Sequence, residues 1–580
     1  MNLRKGFDLL AAAPDGVARL RELILSLAVQ GKLVPQDTND EPTSTLLEKA
    51  SANRERLIEE GQIRRERALA AISKSEIPYS LPRGWEWIRL GTIGQIVGGG
   101  TPKSDVPEYW ADGDVPWLTP ADLYGFKGKR ISGGRRNISR QGLANSSAQL
   151  LPADTVLFSS RAPIGYVAIA ANALATNQGF KSCVPYVEGT SDYLYWFLKS
   201  AAKAIDAAAS GTTFKEISGG DFAKVLLPLP PLAEQGRIVA KVDELMRLCD
   251  ALEANGRLEA EQHARLTTTL LEALAASESA HALAENWSRL AASFDLLLDR
   301  PEAVDALEQT VLQLAVRGLL VSADKNDEPV DVLLEHIREE KSCKIAARKA
   351  NGGKTRTGVL EEERPFEIPT HWAWCSLGEL TLIGPNNGFS PKPSPVDTGV
   401  RCLSLSATTK GYFREDCFKF VDIPSASAEQ YLLKKGDLLI QRANSLDYVG
   451  MAAVYDMEDD RFMYPDLMMR LRVSSKLHVY FVHMYLISNF GRQYFKGKAT
   501  GTQGTMPKIN QGVVLNMPIP IPPAAEQARI VDRVTELRGL CASLRARLTD
   551  RQSCQARFAA ALVEQTAAGG PGAGDLALAA

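Results

Sequence analysis

Neither Cys-x-x-Cys nor His-Glu-x-x-His occurs in the 580 residues, and the eight cysteines, at 183, 249, 343, 375, 402, 417, 541 and 554, lie far apart. That dispersal gives no zinc spacing and predicts reduced, buried thiols in a cytoplasmic protein. The six histidines are too scattered for a Ser–His–Asp set. No run approaches the ~20 apolar residues that a bilayer span needs, so no membrane is expected. Asp8, Asp15 and Glu22 stand in the first thirty residues with no small-residue cleavage site, which argues against a secretory signal. Charge of one sign is also missing. Lys plus Arg number 67 against 69 Asp plus Glu, a net charge of -2, which excludes a globally basic coat but not a local basic face. What is present is ordinary: 45% hydrophobic and 23% charged residues can fill several cores. The length suggests about four structural units.

Catalytic motifs are absent as well. The nearest match to a phosphate-cradling loop, Gly353-Lys354-Thr355, has Arg348 where the first glycine belongs and follows a charged helix, so it reads as linker. No Asn/Asp-Pro-Pro-aromatic loop of an amino-methyltransferase occurs. Gly98-Gly99-Gly100 does not continue into a dinucleotide fingerprint and predicts a β-turn. Asp154 and Asp437 precede strands without metal-sharing partners and predict turn caps. The chain is expected to perform no chemistry alone and to bind no metal or cofactor.

What the chain does have is itself, written twice. LAVQGKLV at 27–34 returns as LAVRGLLV at 314–321, a displacement of 287. The same displacement carries Asn-Asp-Glu-Pro at 39–42 to 326–329, and Pro82, Trp85 and Trp87 to Pro369, Trp372 and Trp374. Farther on it becomes 292, where PPLAEQGRIVAKVDELMRLCDAL at 230–252 returns as PPAAEQARIVDRVTELRGLCASL at 522–544. Such a period is too long for a solenoid and marks a duplicated domain with pseudo-two-fold symmetry.

Each copy has three textures. Val17, Leu20, Leu23-Ile24, Leu27 and Ala28 recur at helical spacing, with Gly31 and Gly318 as C-terminal caps. A second, charged helix is predicted over 43–71, its charges a solvated face. The middles are turn-rich β structure, with strands at 155–159, 165–170, 437–441 and 450–455 and helices near 192–209 and 477–496. After Pro-rich stops come long helices of roughly 60 Å. Ile238, Val242, Leu245, Cys249 and Leu252, matched by Ile530, Val534, Leu537, Cys541 and Leu544, form a heptad seam that predicts mutual packing of the two helices. The last residues, 567–580, read as a frayed tail.

Two stretches lack acid. Residues 123–153 hold Lys127, Lys129, Arg130, Arg135, Arg136 and Arg140, and residues 467–525 hold Arg470, Arg472, Lys476, Arg492, Lys496, Lys498 and Lys508. Interleaved Gly, Ser, Asn and Gln suit loops that approach a phosphate backbone.

These motifs resemble the specificity subunit of a type I restriction–modification system. The resemblance rests on TPKSDVPEYW at 101–110, DVPWLTPADL at 114–123, LPADTVLFSSRAPIGYVAI at 151–169, ATNQGF at 175–180, SGTTFKEIS at 210–218 and LPLPPLAEQGRIVAKVDEL at 227–245. GDLLIQRAN at 436–444, GTQGTMPKI at 501–509 and MPIPIPPAAEQARIV at 517–531 repeat the order. The second copy departs by lacking Val115-Pro116-Trp117 and by reading Ile440-Gln441-Arg442 for the Ser159-Ser160-Arg161 run.

The resemblance implies an α+β fold: two pseudo-symmetric α/β target recognition domains separated by two long antiparallel coiled-coil helices, with helical lead-ins. Expected boundaries are 1–80 lead-in, 81–230 first recognition domain, 231–280 central helix, 281–367 second lead-in, 368–521 second recognition domain and 522–566 final helix. It also implies an asymmetric, bipartite double-stranded DNA target, two modification subunits that bind S-adenosylmethionine, and two restriction/translocase subunits that use ATP and Mg. Lys127, Lys129, Arg130, Arg135, Arg136, Lys215, Arg492, Lys496, Lys498 and Lys508 are candidates for phosphates. Arg161, Asn177, Gln178, Arg442, Asn444 and Gln503 are candidates for base edges, since Arg can fork to guanine and Asn or Gln to adenine. The competing classes are a duplicated protein-binding scaffold without DNA specificity and a one-chain enzyme.

Overall fold

The computed structural model describes residues 10, 13–65, 67–161, 163–209, 215–348, 358–501 and 506–567. The linker reading at Gly353–Thr355, the residue Gln503 and nearly all of the tail lie outside them. The chain divides into two units, residues 1–258 with 552–580 and residues 259–551. Two 44-residue helices, Leu232–Ala275 and Ala524–Ala567, therefore each begin in one unit and end in the other.

In the first unit the lead-in helix Gly16–Val29 buries Leu20, Leu23, Ile24, Leu27 and Ala28, the face its spacing predicts. It stops at Gly31, whose φ of 68° is left-handed. A Cβ there would lie 2.5 Å from Pro82 Cγ and 3.0 Å from Trp85 Cζ2, and one on Gly318 would meet Pro369 and Trp372 at 2.6 and 3.0 Å. One contact thus accounts for the repeated Gly, Pro and Trp. The charged helix is shorter than predicted, Thr43–Glu59 instead of 43–71. Gly61 turns left-handed (φ 69°) and the Gln62 N–H returns to the Leu57 carbonyl at 2.9 Å, closing the last turn. The chain beyond is irregular, and Arg89 fastens it through the Ala70 carbonyl (3.0 Å) and Glu76 (2.9 Å).

The middle of this unit is β-rich, as its turn-laden composition predicts. Strands Gly94–Gly98, Lys181–Pro185, Val156–Phe158, Val167–Ala170 and Arg130–Ile131 lie side by side in one sheet. A smaller sheet is ordered Arg136–Ile138, Val115–Leu118, Ala175–Thr176. Helix Ser191–Ala208 buries Tyr193, Leu194, Phe197 and Leu198 in the core. The expected β-turn at Gly98–Gly100 is not formed. Gly98 ends a strand, and a Cβ on Gly99 or Gly100 would stand 2.0 Å from the Asn177 carbonyl oxygen or 2.2 Å from the Ala148 nitrogen. The glycines are there because other backbone passes too close for a side chain.

The second unit repeats the plan with different strands. Thr381–Asn387, Met468–Val473, Leu438–Gln441 and Ala452–Val454 form its main sheet, and Arg401–Leu403 pairs with Phe418–Phe420. The helix predicted near 477–496 is two, Val479–Ile487 and Asn489–Lys498. Ser488, extended at ψ 163°, splits them and caps the second by accepting from the Gly491 N–H. Asp437 is the predicted turn cap, accepting the Lys434 N–H at 2.8 Å, and it also pairs with Arg472 at 2.6 Å. Asp154 is not: its carboxylate pairs with Arg130. Among the described cysteines, Cys343 and Cys554 are exposed, against the expectation of burial.

Each middle is closed where it meets its long helix. Glu86–Arg89 pairs antiparallel with Leu226–Leu229, and Ala373–Ser376 with Pro518–Ile521. Immediately after, Trp85 Nε1 donates to Glu234 (3.0 Å) and Trp372 Nε1 to Glu526 (3.1 Å). Arg237 forks onto Asp40 at 3.1 and 2.6 Å, and Arg529 onto Asp327 at 3.0 and 2.6 Å. The repeated Asn-Asp-Glu-Pro turn and the repeated Glu-Gln-x-Arg thus meet as one planar, bidentate ion pair per unit.

Over 238–252 and 530–544 the heptad seam is occupied from within its own unit. Ile238, Val242 and Cys249 share a core with Leu20, Ile24 and Tyr193, with Leu245 and Leu252 against it. Ile530 and Val534 share one with Val311 and Ala315, with Leu537 against it, and Cys541 and Leu544 join Val304 and Leu307. Over these stretches the seam residues meet the unit's own lead-in helix. Arg21 to Asp250 (2.6 Å) and Arg538 to Glu308 (2.5 Å) flank those contacts.

Candidate nucleic-acid interface

The phosphate candidates fall into two groups. Lys129 is spent inside the first unit: its Nζ lies 2.8 Å from Asp243 and 3.2 Å from Asp192, over the Tyr195 and Trp196 rings. Trp196 Nε1 also donates to Asp243, at 2.8 Å. Arg130 pairs with Asp154 and, at 2.9 Å, with Asp192. Both side chains bind the edge strand Arg130–Ile131 and the residue before it to neighbouring elements, and Arg130 remains exposed. Arg492 is half-buried, donates to the Asp447 carbonyl at 2.8 Å, and is pulled down to about 10 by desolvation. Lys496 faces Asp447 at 3.2 Å, and Lys215 lies 3.8 Å from Asp206.

Lys127, Arg135, Arg136, Lys498 and Lys508 are exposed. Arg136 spreads its guanidinium over the Trp110 ring at 4.0 Å, which fixes the side chain without neutralising it. The Arg135 N–H donates to Asp122 Oδ1 at 3.1 Å, and Asp122 also accepts the Thr119 N–H at 2.7 Å. That carboxylate therefore holds two loops in register.

Of the base-edge candidates, Asn177 accepts the Gly179 N–H on its side-chain oxygen at 2.9 Å, a turn-holding role. Gln178 is exposed and accepts from the Thr101 hydroxyl. Arg161 is half-buried and forms an isolated bridge with Glu216. Asn444 donates to Gln441 at 2.6 Å and accepts from the Ser445 N–H at 2.7 Å. Arg442 is half-buried, and its carbonyl accepts the Ile509 N–H at 2.9 Å.

The structure does bring loops together. The Asn177 N–H donates to the Leu118 carbonyl at 2.9 Å, and a Cβ on Gly179 would touch Pro120 at 2.9 Å. Residues 99–101, 118–124, 134–136 and 177–179 consequently form one cluster of loops. In the second unit Asn444 donates from its backbone to the Pro507 carbonyl (3.3 Å) and Ala443 bridges to Lys508. Sequence reasoning missed the exposed aromatics Tyr124 and Phe126 in the first unit and Tyr412 and Tyr448 in the second. The available signal was an aromatic residue set among glycines and lysines with no apolar periodicity. Among the described residues no group of three or more His, Cys, Asp or Glu side chains is placed to share a metal, and no helix is long and apolar enough to cross a membrane.

One domain plan occurs twice, fastened each time by the same Trp–Glu and Arg–Asp contacts while its loops differ. That defines a tandem two-domain scaffold. Residues 82–262 and 399–550 match the family described as type I restriction modification DNA specificity domain. The type I restriction enzyme EcoEI specificity subunit of Escherichia coli is 32% identical over 95% of this chain and 93% of its own. The EcoAI specificity subunit, also of Escherichia coli, is 30% identical over the same shares. The type I restriction enzyme EcoKI specificity subunit of Escherichia coli strain K12 is 21% identical over 79% of this chain and 82% of its own. The chain belongs to the family of type I restriction–modification specificity subunits.

Proposed function

We propose that this chain reads an asymmetric, bipartite duplex DNA target, one half with the domain at 81–230 and the other with the domain at 368–521. The observation that carries this is the contrast between identical anchors and unlike loops: Asp40–Arg237 and Asp327–Arg529 have the same geometry and the main sheets keep one strand order, while the first sheet alone carries the edge strand Arg130–Ile131 and the small sheets have three strands and two. Selection for two different half-sites on one support accounts for that contrast.

In this reading Lys127, Arg135, Arg136, Lys498 and Lys508 hold phosphates, and Gln178, Arg161 and Arg442 remain the side chains for base edges. Like helices take like partners, so two modification subunits carrying S-adenosylmethionine dock on the repeated segments. Two restriction/translocase subunits supply ATP- and Mg-dependent work, and the assembly acts in the cytoplasm. The helices at 231–280 and 522–566 set the length of the unread spacer.

Mapping methylated adenines across the genome with and without this chain tests the proposal. Loss of one bipartite motif is expected, and an unchanged pattern overturns it. A second reading, a scaffold that grips proteins alone, is supported by the net charge of -2. Salt-dependent duplex binding by the assembled complex separates the two.

A further inference from the structure

Both units present an exposed tyrosine on the segment that follows a strand and a 3-10 turn, directly after the turn in the first and five residues beyond it in the second. In the first, strand Val115–Leu118 runs into the 3-10 turn Pro120–Leu123, then Tyr124 and the left-handed Gly125 (φ 73°). In the second, strand Arg401–Leu403 runs into the 3-10 turn Leu405–Ala407, and the left-handed Gly411 (φ 76°) is followed by Tyr412. Tyr124 is 80% exposed and Tyr412 49% exposed, the two most exposed aromatic residues among the described ones.

The supports are rigid in both cases. Leu123 is buried beside Tyr124, and the Tyr124 and Phe126 N–H groups return to the Ala121 and Leu123 carbonyls. Phe126 lies so close over Gly128 that a Cβ there would be 2.7 Å from the ring. Beside Tyr412, Phe413 packs edge-on against the buried Tyr455 at 5.0 Å. An aromatic ring held out on a fixed corner loses little freedom when it docks.

The surroundings favour a polyanion with flat apolar faces. Lys127 and Arg135 flank Tyr124, and Lys410 precedes Tyr412. The acids near Tyr412 are already engaged, Asp416 with Arg414 at 2.6 Å and Glu415 with Arg461 at 3.7 Å. The first corner also belongs to the loop cluster that carries Gln178 and Arg135.

We propose that Tyr124 and Tyr412 are matched aromatic contacts to duplex DNA, one for each half-site, each laying its ring against a base step in the groove its own loop cluster enters. The inference rests on the reading of both domains as duplex readers. A ring contact supplies sequence preference through step stacking and flexibility, which basic side chains alone do not.

The test uses the full chain assembled with its modification subunits and duplexes bearing the mapped target. Tyr124→Ala and Tyr412→Ala are each expected to weaken specific binding about tenfold, within the range for disrupting recognition at one base pair of a duplex target. Tyr124→Phe and Tyr412→Phe should restore it, because the ring and not the hydroxyl acts. The slope of log affinity against log salt should not change, in contrast to Lys127→Gln. Scrambling one half-site should abolish the effect of one tyrosine and leave that of the other. Wild-type affinity in both alanine variants, or a loss that phenylalanine does not repair, overturns the proposal while leaving duplex reading intact. Absence of target-specific binding by the unaltered assembly would instead overturn the reading beneath it. The side chains are exposed, so unchanged thermal midpoints serve as the folding control.

Discussion

The two Trp–Glu contacts are alike except for one position, and that difference makes a controlled experiment. Glu234 is 2% exposed; Trp85 reaches one carboxylate oxygen, and the other has no hydrogen-bond partner among the described residues. Glu526 is 1% exposed, yet it accepts from both Trp372 and, at 2.9 Å, His371. Position 371 corresponds to Gly84 at the displacement of 287, which has no side chain to supply a donor. Replacing either tryptophan by phenylalanine removes similar packing, about 1 kcal/mol. Trp85→Phe also strands a buried carboxylate entirely, about 3 kcal/mol, whereas Trp372→Phe leaves one charge-assisted bond, halving that cost to about 1.5 kcal/mol. The expected difference, about 1.5 kcal/mol, is roughly tenfold in the local opening equilibrium.

Hydrogen exchange on the intact chain reads each site separately, through peptides covering 85–90 and 226–242 against 372–377 and 518–534. His371→Ala added to Trp372→Phe should bring the second site to the cost of the first, and Glu234→Gln should relieve Trp85→Phe. The pH dependence has a definite sign. Desolvation raises Glu234 above its ordinary 4.5, with the Trp85 hydrogen bond opposing. The protonated folded form is therefore favoured, so the contribution is present below about 4.5 and is lost as pH rises through the folded value. Trp85→Phe should enlarge that loss. Equal protection losses at the two sites would refute the argument.

Three other outcomes are expected. Lys127→Gln and Arg135→Gln should each lower the salt slope of duplex binding by about one, while Lys129→Gln should reduce thermal stability with little change of slope. His483, fully buried with its Nε2 at 3.2 Å from the Ala452 carbonyl, is held down to about 4 by desolvation. The unfolded chain binds that proton from about 6.5 downward, so the second unit should lose about 3 kcal/mol as pH falls from 6.5 to 4, and His483→Gln should flatten the slope in acid unfolding. Gly31→Ala and Gly318→Ala should each cost more than about 1 kcal/mol in denaturant titration, since both combine a left-handed φ with a Cβ inside 3 Å of a proline ring.

Much was legible from one-dimensional pattern. The displacement of 287, becoming 292, located two copies, their lead-in helices and the two long helices before any coordinate, because helical spacing and rare residues in fixed order are local signals. The strands at 156–158 and 167–170 were legible from β-branched runs between turns. The helix end at Glu59 was not, since Gly61 looks like any glycine in a charged stretch until its φ is known. Gly99 and Gly100 were misread for the converse reason: what requires them is backbone at Asn177 and Ala148, 78 and 48 positions away in sequence.

By itself the sequence determined duplication, the class of each segment and the family, all of which depend on order and periodicity along the chain. Only the tertiary structure decided which charges are available. Lys127 and Lys129 are two residues apart and alike in composition. One faces solvent; the other is closed between Asp192 and Asp243, the latter 114 residues distant. Coulomb attraction acts through space, falling with distance and not with sequence separation, so ion pairing of this kind leaves no local trace in the sequence.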